Sequence, residues 1–172
     1  RDIILNEEQP QNAADRAIEM LLKKIKGEPF KSELLPPNFD VVEPAPPVAD
    51  LKTARLALVS DGGLIPQTNP DKLKPNGSTK VGCYNWDRLT AEPYFVIHSG
   101  YDGTWVMETP YRLFPVDVLR EEVEQGNLGY LDDEVYVTCG NCASVAAAKA
   151  KGQKIAQALL DEGITAAILT ST

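Results

Sequence analysis

The strongest constraint on this chain is its closing stretch. A short apolar run, Ala166 to Leu169, lies between Gly163 and the hydroxyl residues Thr170, Ser171 and Thr172. That length and texture predict a buried parallel strand covered on both faces. Ahead of it, the stretch from about Ala143 to Leu160 carries Val145, Ala148, Gly152, Ile155, Ala156 and Leu159 on one helical face, with Asp161-Glu162-Gly163 as its stop. Ahead of that, Glu134 to Thr138 reads as another strand. Strand, helix, strand is a crossover unit, and crossovers join parallel neighbours. The fold class expected is α/β: an open, mostly parallel sheet with flanking helices. In such sheets ligands settle beyond the carboxyl ends of the strands. The closing strand therefore points to a catalytic residue following Thr172.

Three segments are expected. Residues 1–27 form a helical segment, with Ala14, Ala17, Ile18, Leu21, Leu22 and Ile25 as one apolar stripe suited to core packing. Asn12 caps it, Asp15 suits its positive first turn, and Gly27 ends it after Lys23, Lys24 and Lys26. Residues 28–52 are a linker, because Pro29, Pro36, Pro37, Pro44, Pro46 and Pro47 fix φ and remove backbone donors. Its Phe30, Leu34, Leu35, Phe39, Val41 and Val42 predict docking onto a surface. Residues 53–172 form the α/β domain, with its C-terminus expected to be truncated.

Charge narrows the partners. The 17 basic and 25 acidic residues leave a net charge of −8, which disfavours nucleic acid and anionic membrane surfaces. No apolar run is long enough to span a bilayer. Three cysteines in a chain of 172 residues suit a reducing compartment, so a cytoplasmic location is expected. A start at Arg1, with no leader pattern after it, suggests an interior piece of a longer protein.

The chemistry is expected at three strand tips. Arg55 to Ser60 runs into Asp61-Gly62-Gly63, a tight turn that lets backbone N–H groups approach a ligand. Pro93 to Ile97 runs into His98-Ser99-Gly100-Tyr101-Asp102, and His98 is the sole histidine. At a strand end beside Asp102 it is a candidate proton donor or hydrogen-bond donor to a carboxylate. Glu134 to Thr138 runs into Cys139-Gly140-Asn141-Cys142 at the start of a helix, where a thiolate is stabilised and free N–H groups accept an anion. With all strands parallel, the three tips converge on a small crevice that accepts anions. The C-x-x-C reads as a dithiol or as two small packing residues, and one such pair is too few for a zinc site, so no metal is expected. Between the tips, Pro66 to Gly82 reads as a long polar loop, and Pro115 to Glu124 as a short helix with Val116, Leu119 and Val123 inward. Tyr84, Trp86, Tyr101 and Trp105 would form a cation-holding cage if they cluster.

Taken in order, several stretches resemble the selenoprotein component B of the glycine, sarcosine and betaine reductases. They are Val59-Ser60-Asp61-Gly62-Gly63-Leu64-Ile65-Pro66, Asn69-Pro70-Asp71, His98-Ser99-Gly100-Tyr101-Asp102 and Phe114-Pro115-Val116-Asp117-Val118-Leu119-Arg120-Glu121. The Gly140-Asn141 turn, Ala148-Lys149 with Gly152, and Ile168 to Thr172 complete the set. The C-x-x-C departs from the small or hydroxyl residues expected around that turn.

The resemblance implies reductive cleavage of the C–N bond of glycine or an N-methylated glycine. A selenocysteine encoded by UGA is expected directly after Thr172, and a pyruvoyl group on a companion subunit to hold amine substrates. The carboxymethyl group then passes to selenoprotein A. Within this chain no cofactor is expected. Catalytic candidates are His98, Cys139 and Cys142, and substrate-binding candidates are Asp61, Gly62, Gly63, Ser99, Tyr101, Asp102, Gly140 and Asn141. The residues alone also allow a non-catalytic α/β module for a small anionic ligand, or a C-x-x-C dithiol oxidoreductase.

Overall fold

The computed structural model describes residues 10–33 and 41–172. The chain divides into two compact units, the smaller reaching to Pro46 and the larger spanning Pro47–Thr172. In the smaller unit, helix α1 (Ala13–Lys26) begins where Asn12 Oδ1 accepts from the Asp15 N–H at 2.9 Å. It ends where Gly27, at φ 71°, donates its N–H to the carbonyls of Lys23 and Lys24. The cap, the acidic first turn and the basic last turn are the predicted ones. The fate of the stripe differs. No α1 residue is buried, and Ile18, Leu21, Leu22 and Ile25 are all exposed. Apolar periodicity dictates a helix, but it does not supply the surface that covers one.

Residues 28–33 and 41–50 carry neither helix nor strand, in keeping with the prolines. Phe30 is exposed, and Val41 and Val42 are 99% and 79% exposed. Leu34, Leu35 and Phe39 lie outside the described residues.

The larger unit is built on strand β1 (Arg55–Ser60). It pairs in parallel with β5 (Tyr130–Val137) on one side and β6 (Ala166–Thr170) on the other, so Leu58 faces Val135 and Ile168. Strand β3 (Gly82–Asn85) adds antiparallel to the far edge of β5. The order is β3-β5-β1-β6, an open, mostly parallel α/β sheet as expected. Side chains alternate along β1 because the strand period is two. Ala57 and Val59 join Tyr136, Ile155, Leu159 and Ile164 in one core. Leu56 and Leu58 join Val135, Val137, Trp86 and Phe114 in the other. Full burial of each large apolar side chain contributes about 1.5–3 kcal/mol.

Helix α5 (Val145–Asp161) crosses from β5 to β6. Its buried residues are Lys151, Ile155 and Leu159, whereas Val145 is exposed, so the inward face is rotated from the expected one. Strand β6 forms where predicted but is an edge, and Leu169 is 75% exposed. The buried face of α5 gathers with β1 and β5, which leaves β6 covered poorly.

Short elements were hidden inside what reads as loop. Strand β2 (Leu64–Pro66) pairs antiparallel with β4 (Tyr94–Val96) in a separate two-stranded sheet. The stretch from Pro93 to Ile97 is thus a strand, but not a parallel one in the main sheet. Its partner is three residues long and ends at a proline, too short to read as a strand. Helices α2 (Trp86–Ala91) and α3 (Thr104–Glu108), a 3-10 turn at Pro110–Arg112, and α4 (Val116–Glu124) fill the same side. Val116 of α4 is buried and Leu119 and Val123 pack on the core as predicted, while Pro115 sits at the cap, not in the first turn.

Two glycines give opposite expectations. A Cβ at Gly129 would stand 2.6 Å from the Lys52 carbonyl oxygen and 2.8 Å from that of Ala54. Gly129→Ala is expected to cost about 1–3 kcal/mol by forcing backbone apart. Gly152, inside α5, has nothing within 4 Å of such a Cβ. Gly152→Ala is expected to stabilise by about 0.5–1 kcal/mol. Urea denaturation of the two variants checks both signs.

Candidate functional site

The carboxyl ends of β1, β5 and β6 border a cavity of about 430 Å³, within the size range of small-molecule sites. Its floor follows from parallel pairing. The Thr138 N–H donates to the Ser60 carbonyl at 2.8 Å, the Asp61 N–H to that of Thr170 at 3.4 Å, and the Gly140 N–H to that of Asp61 at 3.2 Å. The Gly62 N–H donates to the buried Ser60 Oγ at 3.1 Å. Gly140 has to be glycine, because a Cβ there would run into the Asp61 carboxylate. Ser171 Oγ reaches Asp61 Oδ2 at 3.3 Å.

The tip after β4 reaches the same place by another route. Gly63 takes φ 72°, a left-handed conformation that suits glycine, and its carbonyl accepts from the Ile97 N–H at 2.8 Å. Tyr101 Oη donates to the Gly62 carbonyl at 2.8 Å. Asn141 Nδ2 donates to Ser99 Oγ at 2.9 Å and to Asn76 Oδ1. Ser99 also bonds to Asn76. The structure therefore brings Asp61, Gly62, Gly63, Ser99, Tyr101, Gly140 and Asn141 together, although their strands are not all parallel.

Two expected arrangements differ. Asp102 does not serve His98. Its Oδ1 accepts from the Thr104 N–H at 3.0 Å and from Thr104 Oγ1 at 2.6 Å, and these bonds hold its carboxyl below the usual carboxylate range. His98 Nδ1 accepts from the Gly100 N–H at 3.1 Å, and its ring lies 5.0 Å from that of Tyr101. The neutral ring then carries its proton on Nε2. Nor does the C-x-x-C open a helix. Cys142 has φ 54°, and α5 begins three residues later behind Ser144, whose Oγ accepts from the Ala147 N–H. The Gly140 N–H is used by Asp61, and the Asn141 N–H faces the Cys139 sulfur.

Cys139 is buried, and its sulfur donates to the Pro75 carbonyl at 3.1 Å. Burial pushes the thiol up, with the Asn141 N–H and the Lys151 charge opposing only in part. Cys142 is exposed, and both thiols are free.

The aromatic cage does not form. Trp86 is buried 5.7 Å from Phe114, Tyr84 is buried and donates to Asp71, and the Trp105 ring already faces the Arg112 guanidinium at 5.2 Å.

Three site residues escaped the sequence reading: Lys151, Thr138 and Asn76. Lys151 is 5% exposed, and its Nζ donates to the Cys139 carbonyl at 3.0 Å. Burial lowers its pKa, while the charges of Cys139 and Asp61 raise it. Its position four residues before Ile155 and eight before Leu159 was the available signal, since it puts a lysine on a buried register. Among the described residues, buried side-chain atoms without a hydrogen-bond partner include Asp61 Oδ1 and Thr138 Oγ1. Each such orphan costs about 1–3 kcal/mol, and these two border one cavity. A cavity of similar volume beside β3 is lined by Arg88, Glu92, Cys83 and Glu134. Those groups already pair with one another, Arg88 with Glu92 at 3.4 Å and Cys83 with Glu134 at 3.3 Å.

Iodoacetamide at pH 8 is expected to modify Cys142 and spare Cys139, as read by mass spectrometry. The buried thiol also sets a pH dependence. A folded pKa above the ordinary 9.0 gives stability fully present below that value and lost as pH rises through the folded one. The stability difference between the native chain and Cys139→Ala should therefore shrink above about pH 9, by no more than about 1.4 kcal/mol per pH unit. Urea denaturation from pH 7 to 11 measures it.

Comparison with known proteins gives a consistent answer. The family profile described as glycine/sarcosine/betaine reductase selenoprotein B matches residues 1–172. The chain is 43% identical to a glycine reductase complex component B subunit gamma from Symbiobacterium thermophilum, covering 100% of this chain and 41% of that protein. It is 36% identical to a sarcosine reductase complex component B subunit beta from Peptoclostridium acidaminophilum, covering 94% of this chain and 38% of that protein. A betaine reductase complex component B subunit beta from the same organism is 35% identical over 96% of this chain and 38% of its own length. The chain thus spans about two-fifths of the length of these relatives. No solved structure matches it. From Asp61-Gly62-Gly63 to Thr172, the chain belongs with residues 1–60 to the glycine/sarcosine/betaine reductase selenoprotein B family.

Proposed function

We propose that this chain forms the floor of the C–N-cleaving site in a selenium-dependent reductase of glycine, sarcosine or betaine. The observation that carries the reading is the family match over the whole chain, joined to a crevice where its strand tips meet. A selenocysteine on the segment following Thr172 supplies the nucleophile, and a pyruvoyl group on a companion subunit supplies an electrophile for amine substrates. The crevice suits such a segment. A Cβ at Gly62 would lie 3.2 Å from Thr172 Cγ2, so chain leaving β6 passes directly over Asp61-Gly62. Ser99, Asn76 and Asn141 form a hydrogen-bonded network that joins the tip after β4 to the Gly140-Asn141 turn.

In the net reaction the bond from the α-carbon to nitrogen breaks and the amine leaves with the bonding electrons, while the selenocysteine would supply the electron pair for the new bond to carbon. His98, with Nδ1 held by Gly100, offers Nε2–H as a hydrogen-bond donor. Gly62 and Gly63 let Leu113 and the Ile97 carbonyl pack against their turn, and Tyr101 pins it. A second selenoprotein receives the carboxymethyl group. Free thiols at all three cysteines accord with a reducing, cytoplasmic setting.

Reading the gene past the Thr172 codon is the first test. A UGA followed by continuing frame is expected, and a stop or unrelated sequence overturns the selenocysteine. The native complex should then release ammonia, methylamine or trimethylamine from one of the three substrates, and release from none overturns the reaction. In that complex, His98→Ala is expected to lower kcat about 100-fold.

A further inference from the structure

Lys151 is a cation held out of water. It sits on the inward face of α5 with Ile155 and Leu159, and its ammonium donates to the Cys139 carbonyl. That bond uses one of its three donors. Thr138, one residue before Cys139, is buried, and its hydroxyl has no partner among the described residues. Across the same cavity Asp61 keeps Oδ1 unpartnered while Oδ2 takes Ser171. A buried cation, an idle hydroxyl and a half-used carboxylate thus border one space with apolar walls at Val59, Ile155 and Leu169. A buried lysine that served only to tie down the Cys139 carbonyl would leave the other two groups unexplained.

We infer that Lys151, Thr138 and Asp61 form a seat for a small zwitterion, with Lys151 and Thr138 taking its carboxylate and Asp61 facing its amino or ammonium group. This assignment rests on the reductase reading above and names the residues that hold the substrate. Opposite charges at the two ends of the seat match a molecule that carries both. The carboxylate end is the more deeply buried, so the carboxylate is the group the seat reads. Lys151 and Thr138 act as positioning residues, and the reacting bond lies toward the mouth.

Equilibrium dialysis tests this on the native complex, with labelled glycine, sarcosine and betaine each as probe and unlabelled acetate or methylamine as competitor. Lys151→Met is expected to weaken binding about 100-fold and to abolish competition by acetate, with Lys151→Arg recovering part of the loss. Thr138→Val, which removes only an idle hydroxyl, is expected to weaken binding about 10-fold. It should raise KM more than it lowers kcat, and it should leave the melting temperature unchanged or higher. A loss of stability with unchanged binding in Thr138→Val, or undiminished acetate competition in Lys151→Met, overturns the seat. Should Lys151→Met fail to fold, Thr138→Val decides alone. Failure of the wild-type complex to bind any of the three probes overturns the reductase reading itself, whereas wild-type binding that Thr138→Val leaves intact overturns this inference only.

Discussion

The larger unit depends on the pairing of β1 along both of its edges. A strand hydrogen-bonded on both sides and buried on both faces leaves no edge free, and Ala57 and Leu58 are fully buried. Because both neighbours run parallel to it, three carboxyl ends arrive on one side of the sheet. Ser60, Asp61, Thr138 and Thr170 are neighbours for that reason, although they lie far apart in sequence. The antiparallel strand β3 brings its amino end there instead, and it contributes nothing to the crevice lining. A slip of one residue in β1 would exchange the two cores and withdraw Asp61 from the crevice.

Much of this was legible before any coordinates. Continuous apolar runs found β1 and β6. The second half of β5 was read from Glu134, while its start at Tyr130 was masked by Asp132 and Asp133. The crossover between β5 and β6 announced parallel pairing. Asn12 and Gly27 marked the ends of α1 because capping is local chemistry. Three-residue strands such as β2 and β4 carry too few residues for a period to show, so their antiparallel pairing was out of reach. The burial of β6 was overestimated, since apolar composition does not say how many neighbours a strand will have. The inward face of α5 was misjudged for a related reason. Lys151 lies inside and Val145 outside, although a lysine ordinarily keeps its charge in water. Helical periodicity fixes which residues share a face, and a functional charge can occupy the buried one.

That exception fits the wider pattern of the crevice. Several departures from local rules lie where the strand tips meet, and others lie elsewhere, at Asn69, Lys72, Trp86 and Asp132. At the tips one finds a buried cation, two orphan oxygens, a non-glycine residue in the left-handed region at Cys142, and a glycine forced by the Asp61 carboxylate. Natural sequences concentrate such departures at working sites and offset them with well-packed surroundings. Trp86, Phe114, Leu58 and Val135 supply that packing on the far side of the sheet.

The central position of β1 also governs how the unit assembles in time. β1 is the earliest strand in the chain, yet its hydrogen-bonding neighbours are the latest two. Contacts such as Arg55 with Thr165 close over 110 residues. Long closures carry their entropic cost before the pairing energy returns it, which slows folding. During synthesis, Leu56 to Val59 leave the ribosome well ahead of β5 and β6. Through that interval Leu56 to Val59 have no partner from their own sheet, which leaves an apolar strand open to association with other chains.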